Sequence, residues 1–432
     1  MVKRYNTIFK SRGEVSCSLC NGMRRHGPPD NKSKDRRHFV PRFTWEELLA
    51  SSNSCYCCDI LLRGCRGCLD QHGPKEAEID NASLRFRYLA RLETIEEQET
   101  GKIIVIRFQN GKKFLIEVFA VDEPGGRTPK SWGDFSRPGI EHYLDYADSL
   151  CNLGERLPPL PTRVMDVGLE DDVVKVFETA GAEGIYVCLS HCWGDTQILA
   201  TTRATLAERK RSIPWDSLCQ TFKDDIIGAR TLGIKYGLGD GVIYRNGFFT
   251  IAATYSPNGD GGLFRATPDF RVSGRSREGE RYTLHFREMI EHHIESLNEC
   301  DDESGNPTTV FFPLLTRAWV YQERMLSTRV IHFGRYELFF ECHSGIRCEC
   351  EQIESLGAAG SWRGLFKIEL ATALLYYDLA HKGEYRPGLQ YHGAALWRTV
   401  VSAYTALRLT KPSDRLPAIG DMAREMAARN TK

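Results

Sequence analysis

Ser190, His191, Cys192, Trp193 and Gly194 stand together at the end of the apolar run Tyr186-Val187-Cys188-Leu189. A hydroxyl, an imidazole and a thiol in succession invite a nucleophile reading. That reading needs a base within hydrogen-bond reach and a third group to orient the base. Adjacent strand residues face opposite ways, so His191 and Cys192 should point apart. Trp193 and Gly194 suit a tight exit from a strand. Two readings therefore stand for this tip: a structural or ligand-shaping element, and a nucleophilic centre. An apolar strand that turns polar this abruptly reaches the rim of a sheet, where the chain meets solvent or a ligand.

A second polar group lies in Thr316 to Leu326, where the pattern predicts a helix capped by Thr316. Trp319, Gln322, Glu323 and Leu326 fall on one face of that helix. Glu323 is the candidate functional carboxylate, with Arg317 and Arg324 as expected charge partners. It would either form a buried ion pair that locks the helix to a sheet or line one pocket with the Ser190–Gly194 tip.

The cysteines carry a third signal. Cys17 and Cys20, Cys55 and Cys58, and Cys65 and Cys68 each enclose two residues, the spacing of a zinc knuckle. Structural zinc, free buried thiols and redox chemistry are the alternatives. The 15 cysteines cannot all pair within one chain. The polar N-terminus has no apolar signal core, so a cytoplasmic location with reduced thiols is expected.

The elements that must position these residues follow from the wider pattern. At 432 residues, with 41% hydrophobic and 26% charged residues, the chain reads as globular and of more than one domain. Lys+Arg and Asp+Glu both total 57, which leaves no basic surplus for a nucleic-acid partner. No apolar run is long enough for a membrane span. Residues 1–121 read as a cysteine-containing module, with a helix at Thr44 to Leu49 opened by a Thr44/Glu47 capping box. Ile103 to Phe108 and Phe114 to Val121 flank Asn110-Gly111 as a β-hairpin. Residues 122–159, with five Pro and Gly between 124 and 138, read as a linker.

Residues 160–350 alternate strands and helices: a strand at Tyr186, a helix from Thr221 to a Gly233 cap, a strand near Phe248 to Ala253, the helix bearing Glu323, and strands at Val330 to Phe333 and Glu337 to Cys342. Residues 257–310 read as an irregular excursion with a helix near Phe286 to Leu297. Residues 351–432 read as a helical tail. An α/β core with α and β additions is the expected class.

Several separated segments together resemble the fungal heterokaryon-incompatibility (HET) domain family. Tyr186 to Gly194 resembles its first signature, a strand closing in Leu-Ser-[Tyr/His]-Cys-Trp-Gly. Ala229-Arg230-Thr231-Leu232-Gly233-Ile234-Lys235-Tyr236 and Ile243-Tyr244-Arg245-Asn246-Gly247 are similar to segments that follow it. Arg317-Ala318-Trp319-Val320-Tyr321-Gln322-Glu323-Arg324 is similar to the family's Arg-[Ala/Gly]-Trp-x-x-Gln-Glu-Arg helix. The resemblance spans most of the chain from residue 160.

It implies a fungal non-self recognition and cell-death effector acting through protein partners and self-association. It also implies a core sheet similar to the Toll/interleukin-1 receptor (TIR) class, which is flavodoxin-like. Some TIR domains cleave NAD, so a TIR-like NAD glycohydrolase acting on an NAD-like nucleotide is the alternative function. The resemblance favours Cys17, Cys20, Cys55 and Cys58 as a four-thiolate zinc site.

Two departures from the family qualify the match. Tyr236 runs through Gly237-Leu238-Gly239-Asp240-Gly241 directly into Val242, where the family has a strand with an acidic residue and then a helix. The sequence therefore predicts a core lacking a strand and helix near 237–242, through a misplaced splice junction or in a decayed, non-functional copy. The tail to Lys432 also reads as shorter than the family's.

Overall fold

A two-stranded hairpin cannot bury its own apolar face, so the strands around Asn110-Gly111 must recruit partners. The computed structural model shows which partners they find. It describes residues 17, 19, 43–72, 82–88, 102–109, 113–120, 157–169, 171–194, 199–237, 243–264, 270–275, 281–288, 312–335, 337–343, 345–348, 354–356, 367, 370, 374 and 393–430. The first elements are β1 (Phe43–Thr44), α1 (Trp45–Ser52), α2 (Tyr56–His72), β2 (Ser83–Tyr88), β3 (Lys102–Arg107) and β4 (Lys113–Ala120). Then come β5 (Arg163–Asp166), β6 (Lys175–Glu178), β7 (Tyr186–Ser190), α3 (Leu206–Arg209), α4 (Gln220–Thr231), β8 (Tyr236–Gly237), α5 (Ile243–Asn246) and β9 (Phe249–Ala252). The chain continues through β10 (Phe270–Arg275), β11 (Arg281–Glu288), α6 (Ala318–Leu326), β12 (Arg329–Phe333) and β13 (Leu338–Cys342). It ends with β14 (Gly345–Cys348), β15 (Glu354–Leu356), α7 (Gly393–Thr405) and α8 (Pro417–Asn430).

These elements form two compact units. One holds Met1–Lys130 with Thr267–Glu291, the other Ser131–Ala266 with His292–Lys432. The first is an antiparallel sheet in the order β1-β2-β3-β4-β11-β10. The expected hairpin forms, with Ile104 opposite Ile116. The stretch read as an irregular excursion instead sends β10 and β11 into this sheet, where Phe286 stands opposite Val118. Phe286, expected to begin a helix, lies in β11 because Tyr282, Leu284 and Phe286 alternate into the core at a period of two.

Helix α1 starts where the capping box predicts. Thr44 Oγ1 accepts from the Glu47 N–H at 3.1 Å, and Glu47 Oε2 accepts from the Thr44 N–H at 2.7 Å. Helix α2 buries Ile60, Leu61, Cys65, Cys68 and Leu69 against the sheet residues Leu84, Ile106, Leu284 and Phe286. Its two glycines are the points of closest approach: a Cβ on Gly64 would overlap the Phe286 ring, and one on Gly67 the Phe270 ring.

The second unit has a sheet in the order β15-β14-β13-β12-β9-β7-β8-β5-β6. Its middle, β8-β7-β9-β12, is parallel. The first of these strands in the chain, β7, thus lies between the second and the third. The strand order reverses there, between β7 and β9.

Parallel strands are covered on both faces and read as continuous apolar runs, and every residue of β7 is buried. Val187 and Leu189 pack with Ile226 and Ala229 of α4. Tyr186 and Cys188 pack on the other face with Tyr321 and Met325 of α6 and with Val400, Tyr404 and Ile419 of α7 and α8. The helical tail is therefore part of this unit's core.

Where the sequence predicts a missing strand beside β7, a strand of two residues stands. It pairs Tyr186 with Tyr236 and Val187 with Gly237. Residues 238–242 lie outside the described residues. Gly233 ends α4 as expected, with φ +70° and the Ile234 N–H closing on the Ala229 carbonyl at 2.9 Å. Thr316 does not cap α6. Its hydroxyl turns back to the Pro313 carbonyl at 2.8 Å within a short 3-10 turn, and Arg317 takes the cap position.

The Gly64 contact gives a testable sign. Gly64→Ala gains about 1 kcal/mol of helix propensity but drives a methyl into the Phe286 ring, and overpacking costs about 1–3 kcal/mol. The variant should unfold at a lower temperature than wild type in a thermal melt. A rise in melting temperature would show that the contact is looser than described.

Candidate functional site

Strand periodicity decides where the tip residues go. Ser190 follows Tyr186 and Cys188 onto the face covered by α6, and there its Oγ donates to Glu323 Oε2 at 2.5 Å. Ser190 is 3% exposed, and Glu323 is half-buried. The strand is held in place by β9: Ser190 stands opposite Ala252, and its carbonyl accepts from the Ala253 N–H at 2.9 Å. Helix α6 is tied to the same strand. Ser327 Oγ donates to the Glu323 carbonyl at 2.6 Å and lies 2.7 Å from Thr250 Oγ1. The pair therefore sits at the carboxyl end of the parallel strands, beside the β7–β9 reversal. In open α/β sheets such a reversal leaves a crevice that binds ligands.

Past Ser190 the alternation continues. His191 turns to the α4 face, where its ring meets Phe222 edge-on at 5.1 Å and stacks with Trp193 at 6.3 Å. Its Nε2 is buried without a hydrogen-bond partner. Burial pulls its pKa down to about 4, and the Arg317 guanidinium adds to the shift. Cys192 returns to the other face among Leu314, Leu315 and Val320. Burial pushes its thiol up to about 11 and holds that of Cys188 well above the ordinary range. Neutral thiols are poor nucleophiles, and His191 and Cys192 do point apart.

Trp193 is 60% exposed. Gly194 has φ +68°, and a Cβ there would lie 2.5 Å from Asn258 Cβ. Asn258 in turn caps the 259–261 turn through its Oδ1. Glycine at this position is thus required twice, by backbone angle and by contact.

The polar side chains of α6 and its cap go to separate partners. Trp319 Nε1 donates to Asp414 Oδ2 at 3.1 Å, and Gln322 Oε1 accepts from the Asp421 N–H at 3.3 Å. Arg317 Nη2 lies 3.5 Å from Thr410 Oγ1. Arg324 donates to Glu341 of β13 from Nε at 2.8 Å and Nη2 at 2.6 Å, fully buried. The ion pair that locks helix to sheet is therefore Arg324–Glu341, although the sequence placed it at Glu323. Burial alone would raise the Glu341 carboxyl, but the Arg324 charge and hydrogen bonds hold it well below the usual range. His332 joins through Nε2, 3.2 Å from Glu341 Oε2. Burial keeps this imidazole neutral, near pKa 4.

Sequence reasoning missed Asp224, Asp225, Thr250, Asn258, Ser327 and Glu341. Two adjacent aspartates inside an otherwise apolar helix face were the available signal. Asp224 Oδ2 accepts the Leu263 N–H at 2.7 Å. Asp225 is 2% exposed, and its Oδ1 has no hydrogen-bond partner. Burial and the neighbouring Asp224 push its carboxyl up to about 7.

Of the expected metal ligands, Cys17, Cys55 and Cys58 come together with their Sγ atoms all within 4.8 Å of one another. Cys20 lies outside the described residues. Cys65 and Cys68 go to the sheet-facing core of α2.

No family model, curated protein or solved structure matches this chain.

The Asp225 carboxyl has a consequence in pH. Its folded pKa near 7 exceeds the ordinary value of 3.8, so the folded state holds a proton that the unfolded chain has released. Stability is then lost as pH rises through about 7. The buried imidazoles act only below about 6.5, where they destabilise as pH falls. Between about pH 6.5 and about pH 8.5, wild type should lose melting temperature. Asp225→Asn should recover roughly 5 °C at the upper pH and little at the lower. Equal shifts at both pH values would show that the carboxyl is already ionised when folded.

Proposed function

We propose that this chain is a heterokaryon-incompatibility effector of fungal non-self recognition, working in the cytoplasm through protein partners and through its own self-association. One observation carries the proposal. Two segments that resemble the family's signatures, Ser190 to Gly194 and Arg317 to Arg324, meet through the Ser190–Glu323 hydrogen bond at 2.5 Å. Segments so far apart in the chain have no local reason to share a site, and a shared function supplies one. The parallel strand order, second-first-third-fourth, supports a flavodoxin-like core of TIR type, since that fold has the same order. The exposed Trp193 and the half-buried Glu323 leave the tip accessible to a partner. No helix among the described residues is long and apolar enough to cross a membrane.

Induced expression in a filamentous fungus tests the reading. Wild type should arrest growth and stain with a death dye. Glu323→Gln and Ser190→Ala should reduce dead cells by about tenfold or more at equal protein level, as loss of a buried charge-assisted hydrogen bond would. Harmless wild-type protein at high level, or undiminished killing by both variants, would count against it.

A second reading is favoured by the position of Glu323 at the carboxyl end of the parallel strands beside their reversal. It makes the same site a TIR-like NAD glycohydrolase. Water would add to the ribosyl C1′ of NAD, and the bonding pair would leave on the nicotinamide nitrogen as neutral nicotinamide. One proton would be released. The carboxylate of Glu323 would face the positive charge that develops on the sugar. Purified protein should then convert NAD to nicotinamide and ADP-ribose on a chromatogram, with Glu323→Gln slower by about 100-fold or more. Killing without NAD loss would leave the interaction reading alone.

A further inference from the structure

We propose that Cys17, Cys55 and Cys58 form a thiolate site for a divalent cation of the zinc class, tying the chain around residue 17 to the start of α2. The three Sγ atoms lie within 4.8 Å of one another, and those of Cys17 and Cys58 are 3.6 Å apart. Tetrahedral zinc–sulfur bonds of about 2.3 Å hold two sulfurs about 3.8 Å apart, so this spacing suits a shared metal. A disulfide would need about 2.05 Å.

The surroundings suit thiolates. Cys55 immediately precedes α2 and Cys58 lies in its first turn. Their spacing of three puts both on one side of the helix start. The partial positive charge of a helix N-terminus lowers thiol pKa. Ser51 at the end of α1 stands between two of the sulfurs, donating to Cys58 Sγ at 3.2 Å and lying 3.3 Å from Cys17 Sγ. A hydroxyl so placed orients metal-bound sulfur, as outer partners of metal ligands do.

The other pair on this helix behaves differently. Cys65 and Cys68 are buried in the apolar core, and burial pushes Cys68 up to about 12 and Cys65 well above the ordinary range. They remain thiols, so only the pair at the helix start meets a third sulfur. The spacing Cys17 to Cys20 offers a fourth donor. The three thiolates stand without it, because zinc sites with three protein ligands keep an open fourth position.

The test uses the full chain, purified under reducing conditions. Elemental analysis should give about one zinc per chain, and cobalt substitution should give the near-ultraviolet thiolate-to-metal charge-transfer band. A chelator should lower the melting temperature of wild type. Cys17→Ser, at a half-buried position, should weaken zinc binding by about 100-fold or more and remove the chelator effect. Ser51→Ala, which spares every ligand, should weaken binding by about tenfold, and it serves if Cys17→Ser does not fold. Cys219→Ser, at a half-buried thiol of the other unit, should change nothing. A folded chain without zinc or a cobalt band, wild-type affinity in both site variants, or a Cys17–Cys58 disulfide in the purified protein would overturn the proposal.

Discussion

The hydrogen bond from Ser190 to Glu323 joins a strand end to a helix 133 residues away in the chain. It can form only because two independent constraints agree. The first is the period of two along β7, which is wholly buried, so each side chain must find a partner on its own face. That rule sends Ser190 toward α6, His191 toward α4 and Cys192 back again. The second is the register of β9, which carries Thr250 to the Ser327 hydroxyl and so sets where α6 ends. A shift of β7 by one residue would put His191 against Glu323 and Ser190 against Phe222. Register is thus what makes the site.

The polar residues of α6 show why such a helix can lie in an apolar core. Arg324 and Glu341 are both almost fully buried, and an unpaired charge there would cost several kcal/mol. The pair is made bidentate, and His332 adds a third contact. Such a network gains little net stability over apolar packing, but it punishes any other arrangement of helix and sheet. Trp319 and Gln322 do a similar task toward the tail, where Asp414 and the start of α8 receive them. Glu323 is left to face Ser190. The helix is fastened on three sides by groups that take no part in any chemistry at the tip.

Much of this was legible in residue types. The capping box at Thr44, the hairpin at Asn110-Gly111, the Gly233 cap and the strand at Tyr186 follow from local rules that tertiary structure had no reason to overrule. The glycines of α2 were not read as packing positions, because their meaning depends on Phe270 and Phe286, some 200 residues on. The same distance hid β10 and β11. Their alternation is plain once β4 is their neighbour, yet polar flanks and glycines made them look irregular alone. For Glu323, sequence identified the residue and misplaced the ion pair. Arg324 is adjacent to Glu323 on the helix, but Glu341 lies on a strand whose face no local pattern reveals.

The short strand β8 explains the most unusual acid in the molecule. Beside β7 it offers only Tyr236 and Gly237, so this sheet position has few backbone donors and, at Gly237, no side chain. A Cβ on Gly237 would lie 3.8 Å from Asp225 Oδ2, so the Asp225 carboxyl occupies the space beside the glycine. A buried carboxylate without donors is intolerable at several kcal/mol, whereas a neutral acid in the same place costs far less. The upward shift of Asp225 toward 7 is therefore the expected response to a strand too short to satisfy it. Burial of Asp225 and brevity of β8 are one feature seen from two sides. A longer strand here would bring either donors that ionise the acid or a side chain that expels it.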